Sequence, residues 1–231
     1  MEQNVTIKKS MSWKEAWQLK NFRSFLLFCV AGFAITIIIW PIFLGHIEKR
    51  DGVILNDIIL AMVPVKDVSI PIFTLLWGAT MLMLFRIFQN PKLFVIFLAS
   101  YWGLFLLRMI TIYLTPLNPP VGLIALRDPI SNMFYGKGGV FMTKDLFFSG
   151  HTASLTLMYL TLENKWEKRF LLLATIAVGI MVLFQHIHYS IDVLFAPAFA
   201  FIIFKGVKKL VNDIFYEAEP TKQIKRKSLV N

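Results

Sequence analysis

Residues 93–115, LFVIFLASYWGLFLLRMITIYLT, carry a single charged side chain, Arg108. A helix needs about 20 mainly apolar residues to cross a bilayer core of ~30 Å, so this stretch reads as a membrane span. Comparable runs recur outward from it, near 23–44, 70–88, 146–162, 170–187 and 189–207. With 57% hydrophobic residues, 15% aromatic and a mean hydropathy of +0.64 over 231 residues, the chain is too apolar for an ordinary soluble domain. The expectation is an all-α polytopic membrane protein, a six-helix bundle over 23–210. A basic segment, 1–22, precedes it, and a basic tail, 211–231, is expected to be disordered.

Positive charge sets the orientation. Lys8, Lys9, Lys14, Lys20 and Arg23 open the chain, and Lys205, Lys208, Lys209, Lys222, Lys225, Arg226 and Lys227 close it, so both ends read as cytoplasmic. Six spans agree with that, and they put the loops 45–69 and 117–145 outside. The net charge of +10 sits largely in the two tails, without an aromatic-interleaved basic surface, which argues against nucleic acid. Anionic lipid headgroups are the expected partner of those tails. The charged start followed by a long first span reads as an uncleaved anchor. One cysteine, Cys29, excludes an intramolecular disulfide.

Two polar clusters interrupt the apolar background: Ser149-Gly150-His151-Thr152 and His188-Tyr189-Ser190-Ile191-Asp192-Val193. Ionisable groups in such surroundings are costly and mark functional sites. If 188–205 is helical, His188 and Asp192 stand four apart on one face. An aspartate on one ring nitrogen fixes the tautomer and leaves the other nitrogen free to attack. His188 is therefore the candidate nucleophile. His151 is the candidate proton donor for a group transfer through a phosphohistidine. Gly150 lets backbone approach an anion, a helix starting near 150 points N–H groups at a phosphate, and Ser149 and Thr152 add hydroxyl donors. His186 suits packing as well as substrate contact, and His46 reads as interfacial. Zinc is the weaker alternative, because Cys29 is remote and no His-Glu-x-x-His occurs; neither a metal nor a cofactor is expected.

In order and spacing, these stretches resemble the sphingomyelin synthase-like lipid phosphotransferases, a branch of the type 2 phosphatidic acid phosphatase superfamily. Its third motif resembles Asp145-Leu146-Phe147-Phe148-Ser149-Gly150-His151-Thr152, and its fourth His186-Ile187-His188-Tyr189-Ser190-Ile191-Asp192-Val193. Its second resembles Arg108-Met109-Ile110-Thr111-Ile112-Tyr113-Leu114-Thr115-Pro116-Leu117, with Pro120 beyond. The resemblance implies six helices, a triad of His151, His188 and Asp192 toward the external face, and transfer of a phosphoryl headgroup from a glycerophospholipid to a lipid alcohol such as ceramide. Asp145 is then expected to help bind or activate a headgroup or acceptor hydroxyl. The chain departs from the family at Thr143-Lys144, where a Cys-Gly stands, and at Ile54-Leu55-Asn56-Asp57, which replaces a Pro-Leu-Pro-Asp. A compact chain of this kind suits a bacterial inner-membrane member.

The superfamily's phosphatases share Ser-Gly-His and His-x-x-x-Asp but add basic residues against a phosphomonoester of nearly two negative charges. Here Val182 stands where they have an arginine, and no Lys-x6-Arg-Pro occurs, which favours a diester. Arg108 is expected to supply the remaining positive charge. For Thr111 and Tyr113, interhelical bonding and substrate contact both stay open. The alternatives are a lipid phosphate phosphatase, a phospholipase C-like hydrolase when water is the acceptor, and a non-enzymatic transporter whose histidines relay protons.

Overall fold

The computed structural model describes residues 11–126 and 142–216. The described residues form α1 (Trp13–Gln18), α2 (Lys20–Lys49), α3 (Ile58–Ala61), α4 (Ser69–Gln89), α5 (Pro91–Leu114), α6 (Gly150–Thr161), α7 (Lys165–Phe184) and α8 (Ser190–Tyr216). Each of the six apolar runs holds a helix. Four of them, α2, α4, α5 and α8, are long and apolar enough to cross a membrane. The other two differ for readable reasons. The 12-residue α6 is buried on nearly all sides, and α7 opens with Lys165, Glu167, Lys168 and Arg169. The final helix runs to Tyr216, so part of the segment expected as tail is helical; residues 217–231 lie outside the described residues.

The short helix is the axle. α6 packs against α4, α5, α7 and α8, while α2 lies on the outer side of α5. Ala153, Ala196 and Ala200 let α6 and α8 approach closely beneath the polar residues. Its threonines do not break it, since Thr156 and Thr161 donate to the carbonyls of Thr152 and Leu157 at 2.8 Å. Both described ends of the chain meet at one end of the bundle, where Phe22 packs edge-on against Phe215 at 5.5 Å and Trp13 Nε1 donates to Phe88 O at 2.7 Å. The two polar clusters lie at the opposite end.

There α7 stops in a Schellman turn: Ile187 N reaches Val182 O at 3.3 Å and His186 N reaches Leu183 O at 2.9 Å. His186 occupies the position a glycine usually takes, with φ 52°. Its ring secures it there, with Nδ1 2.9 Å from Val121 O and Nε2 3.0 Å from Val63 O. The turn explains why the last helix begins at Ser190 and not at 188 as expected: residues 185–189 reverse the chain first.

A second tie comes from the segment after α2. Val53 N donates to Pro116 O at 2.9 Å, and Leu55 N donates to the Tyr189 hydroxyl at 3.2 Å. The Asp57 carboxylate then accepts from Leu60 N at 3.0 Å, Ser190 N at 2.6 Å and Ser190 Oγ at 2.8 Å. Partial burial opposes its ionisation, but these hydrogen bonds outweigh that and hold its pKa below the ordinary value.

Two outcomes check this end of the bundle. His186→Ala should lose about 1 kcal/mol for the ring N–H that donates to one of the two carbonyls, and His186→Gly should recover part of it by relieving the left-handed backbone; detergent melting curves give the order His above Gly above Ala. Because Asp57 titrates lower folded than unfolded, its stabilisation is complete above the unfolded carboxyl pKa and fades as pH falls through the folded value. The Asp57→Asn variant should therefore lose less stability than the parent between about pH 4 and pH 2 in acid-denaturation curves.

Candidate active site

Asp192 is fully buried in the first turn of α8. Its Oδ2 accepts from Tyr189 N at 3.1 Å, as a residue in the third helical position does when it caps the chain preceding it. The same oxygen lies 3.2 Å from His188 Nδ1. The expected pair is thus present, though it arises from a reach back across the helix start and not from stacking along a helix. A carboxylate only accepts, so the bond assigns the proton to Nδ1 and leaves the lone pair on Nε2. Among the described residues Asp192 Oδ1 has no hydrogen-bond partner. A carboxylate buried this deeply costs free energy unless donors face it, and the Nδ1–H of His188 and the N–H of Tyr189 are those donors.

Ser149 caps α6: its hydroxyl accepts from Thr152 N at 3.4 Å, and its own N–H donates to Asp192 O at 3.1 Å. This last bond joins the starts of α6 and α8. It sets the His151 and His188 rings 6.1 Å apart between centroids, edge to face at 66°. Ser149 and Thr152, expected to offer hydroxyls to a substrate, are instead buried and bonded to one another at 3.2 Å.

Arg108 points inward from α5 and is 6% exposed. Its NH2 pairs with Asp145 Oδ1 at 2.7 Å, its Nε donates to Phe148 O at 3.2 Å, and its guanidinium lies 5.5 Å from the Trp40 ring centroid. A Cβ on Gly150 would run into this guanidinium. The glycine therefore serves the arginine directly, a closer purpose than the backbone approach expected for it.

A cavity of about 290 Å³ opens here, walled by Trp40, Arg108, Asp145, Gly150, His151 and Ser154 among others. His188 lies one ring behind His151. Of the remaining expected residues, Tyr113 is 62% exposed and its carbonyl accepts from Arg50 at 2.6 Å, while Thr111 donates to Phe147 O at 2.9 Å as a helix-to-loop tie. His186 is held by its two carbonyls away from this cavity. Sequence reading missed Trp40, which has no pattern to mark it, and Asp57, whose only signal is its place in a degenerate motif. No group of three metal-ligating side chains occurs among the described residues.

Residues 143–210 match the family described as PAP2 superfamily C-terminal. The matched stretch contains His151, His188, Asp192, Asp145 and the α6 cap, and supports the PAP2 superfamily, whose members are typically phosphatases or phosphotransferases. A comparison with curated proteins found no match.

Gly150→Ala should displace the guanidinium from Asp145. The displacement is expected as a shift of the Arg108 side-chain 15N signal in labelled protein, together with a loss of about 1 to 3 kcal/mol in melting stability for one broken charge-assisted contact.

Proposed function

We propose that this chain is a lipid phosphotransferase that moves a phosphoryl headgroup from a glycerophospholipid to a lipid alcohol, ceramide- or diacylglycerol-like, through a phosphohistidine. The observation that carries the reading is the His188 ring held by buried Asp192 with a second imidazole 6.1 Å away. In the first step His188 Nε2 attacks phosphorus; the N–P bond forms, the P–O bond to diacylglycerol breaks, and the departing oxygen takes a proton from His151. In the second, the acceptor hydroxyl gives its proton back to His151 as its oxygen attacks phosphorus and the N–P bond breaks. Asp192 stabilises the imidazolium state of His188, and Arg108 faces the phosphoryl oxygens. Water in place of the alcohol makes the same site a phospholipase C.

Charge supports a diester donor over a phosphomonoester. Among the cavity's described residues the one guanidinium is already paired with a carboxylate, so a monoester of nearly two negative charges meets little net positive charge. Lipid as the substrate class is supported by a second chamber of about 390 Å³ with almost wholly apolar walls, including Phe33, Met83, Leu84, Ile87 and Phe97. The two cavities share Thr80, Tyr101 and Met158. Tyr101 turns its hydroxyl to Ser154 at 3.5 Å and stacks its ring on Phe97 at 5.5 Å, so polar and apolar space meet across it. Helices α2 and α4 both pack on α5 without packing extensively on one another, which leaves a gap for chain entry.

In this reading α6 and α7 complete six membrane-crossing segments. Exposed Leu172, Leu173, Ile176 and Ile180 on α7 support its contact with lipid. The basic ends face the cytoplasm beside anionic lipids, and the imidazoles face the external leaflet of a cell membrane.

Purified protein mixed with phosphodiester lipids, phosphatidate, ceramide and diacylglycerol should yield a new headgroup-bearing lipid and an equal amount of diacylglycerol by mass spectrometry. His188→Ala should abolish both; phosphatidate loss with free phosphate would move the protein to the phosphatases. Leu84→Trp, which fills the apolar chamber, should raise KM about tenfold for a long-chain donor and leave a short-chain donor unaffected.

A further inference from the structure

We infer that Asp57 is a positioning residue for the His188–Asp192 pair, acting from outside the bundle through the start of α8. Ser190 stands midway between His188 and Asp192, and both its backbone N–H, at 2.6 Å, and its hydroxyl, at 2.8 Å, are bonded to the Asp57 carboxylate. A neighbouring bond braces the same place: Tyr189 donates its hydroxyl to Asn118 O at 2.9 Å while accepting from Leu55 N at 3.2 Å. The Leu55–Asp57 strip thus grips residues 189 and 190 at three polar atoms.

The grip matters because of what the last helix lacks. Its first turn follows directly on the reversal at 185–189, and Asp192, the side chain that caps it from within, is also the partner of His188. One carboxylate oxygen therefore serves both the helix start and the imidazole. With Asp57 holding Ser190 N and Ser190 Oγ, the helix start is fixed independently and Asp192 Oδ2 stays in line with Nδ1. Without it, the exposed N–H groups of the first turn compete for Asp192, since orphan donors at a helix start seek the nearest acceptor. A carboxylate at this end also suits the positive pole of α8. The Asp57 side belongs to the segment after α2 and is tied through Val53 to Pro116 and Asn118 beyond α5, so the brace links the helix carrying Arg108 to the helix carrying Asp192.

The role as a positioning residue rests on the phosphotransferase reading, but the tautomer of His188 can be read without any substrate. Full-length protein labelled with 15N-histidine in detergent micelles is compared as parent, Asp57→Ala, Asp57→Asn and Ser190→Ala, with His188→Ala assigning the signal. The parent should show the Nδ1-protonated ring. Asp57→Ala should show a mixture of both tautomers, and Asp57→Asn, which keeps a capping acceptor, should return to the parent signature. Ser190→Ala, which removes only the hydroxyl arm, should fall between, and it stands in if Asp57→Ala does not fold. A parent-like ring signal in folded Asp57→Ala, or in Ser190→Ala where that variant stands in, overturns the inference. Turnover gives the second reading: kcat is expected to fall about tenfold in Asp57→Ala with KM unchanged and to recover in Asp57→Asn. If the parent turns over no lipid, the phosphotransferase reading fails while the tautomer result still decides the inference.

Discussion

One buried carboxylate oxygen holds this end of the molecule together. Asp192 Oδ2 accepts from Tyr189 N and from His188 Nδ1, while the same residue's carbonyl accepts from Ser149 N. These three bonds fix the start of α8, the orientation of an imidazole and the spacing to α6. Removing one partner of such a buried, charged network typically costs several kcal/mol, because the charge left behind has no water to turn to. The alanines of α6 and α8 are the apolar complement of that constraint. Larger side chains there would move the two helix starts apart and break the bond between Ser149 and Asp192.

A second constraint follows from the placement of Arg108. A guanidinium on a membrane-depth helix must be surrounded by acceptors and ring faces, and here Asp145, Phe148 O and Trp40 surround it. Such a shell demands space at the N-terminus of α6, which only glycine leaves. The Ser-Gly-His-Thr sequence is therefore read locally as cap, clearance, wall and cap partner. Only its histidine faces the cavity as a chemical group.

Much of the architecture was legible in apolar run length, because a span and an apolar run are nearly the same physical statement. The runs at 23–44, 70–88, 93–115 and 189–207 all lie on span-length helices. The run at 146–162 carried a different message: its helix is short because the central position buries it among neighbours, and hydropathy reports apolarity without saying whether lipid or protein supplies it. The His188–Asp192 contact was legible from spacing, yet the mechanism was not. A separation of four brings side chains together along a helix and also across a cap, and the sequence does not distinguish them. His186 shows the limit more sharply. A histidine near a catalytic motif invites a substrate role, but its backbone is left-handed and both ring nitrogens face carbonyls, which no periodicity could reveal.

The Arg108–Asp145 pair carries the argument on substrate choice one step further. Paired, the two residues present little net charge to the cavity, and under the proposed reaction a phosphodiester monoanion would draw the guanidinium partly from its carboxylate. That exchange costs least when the incoming group also offers Asp145 something to accept, such as a headgroup ammonium or hydroxyl. A bare phosphate monoester has no such donor beyond its own proton, and it brings more charge for the same guanidinium to meet. Under the proposed reaction the pair would discriminate by what it asks of the ligand: one phosphoryl charge for Arg108 and one donor for Asp145. In that reading a zwitterionic or polyol headgroup would meet both demands at once.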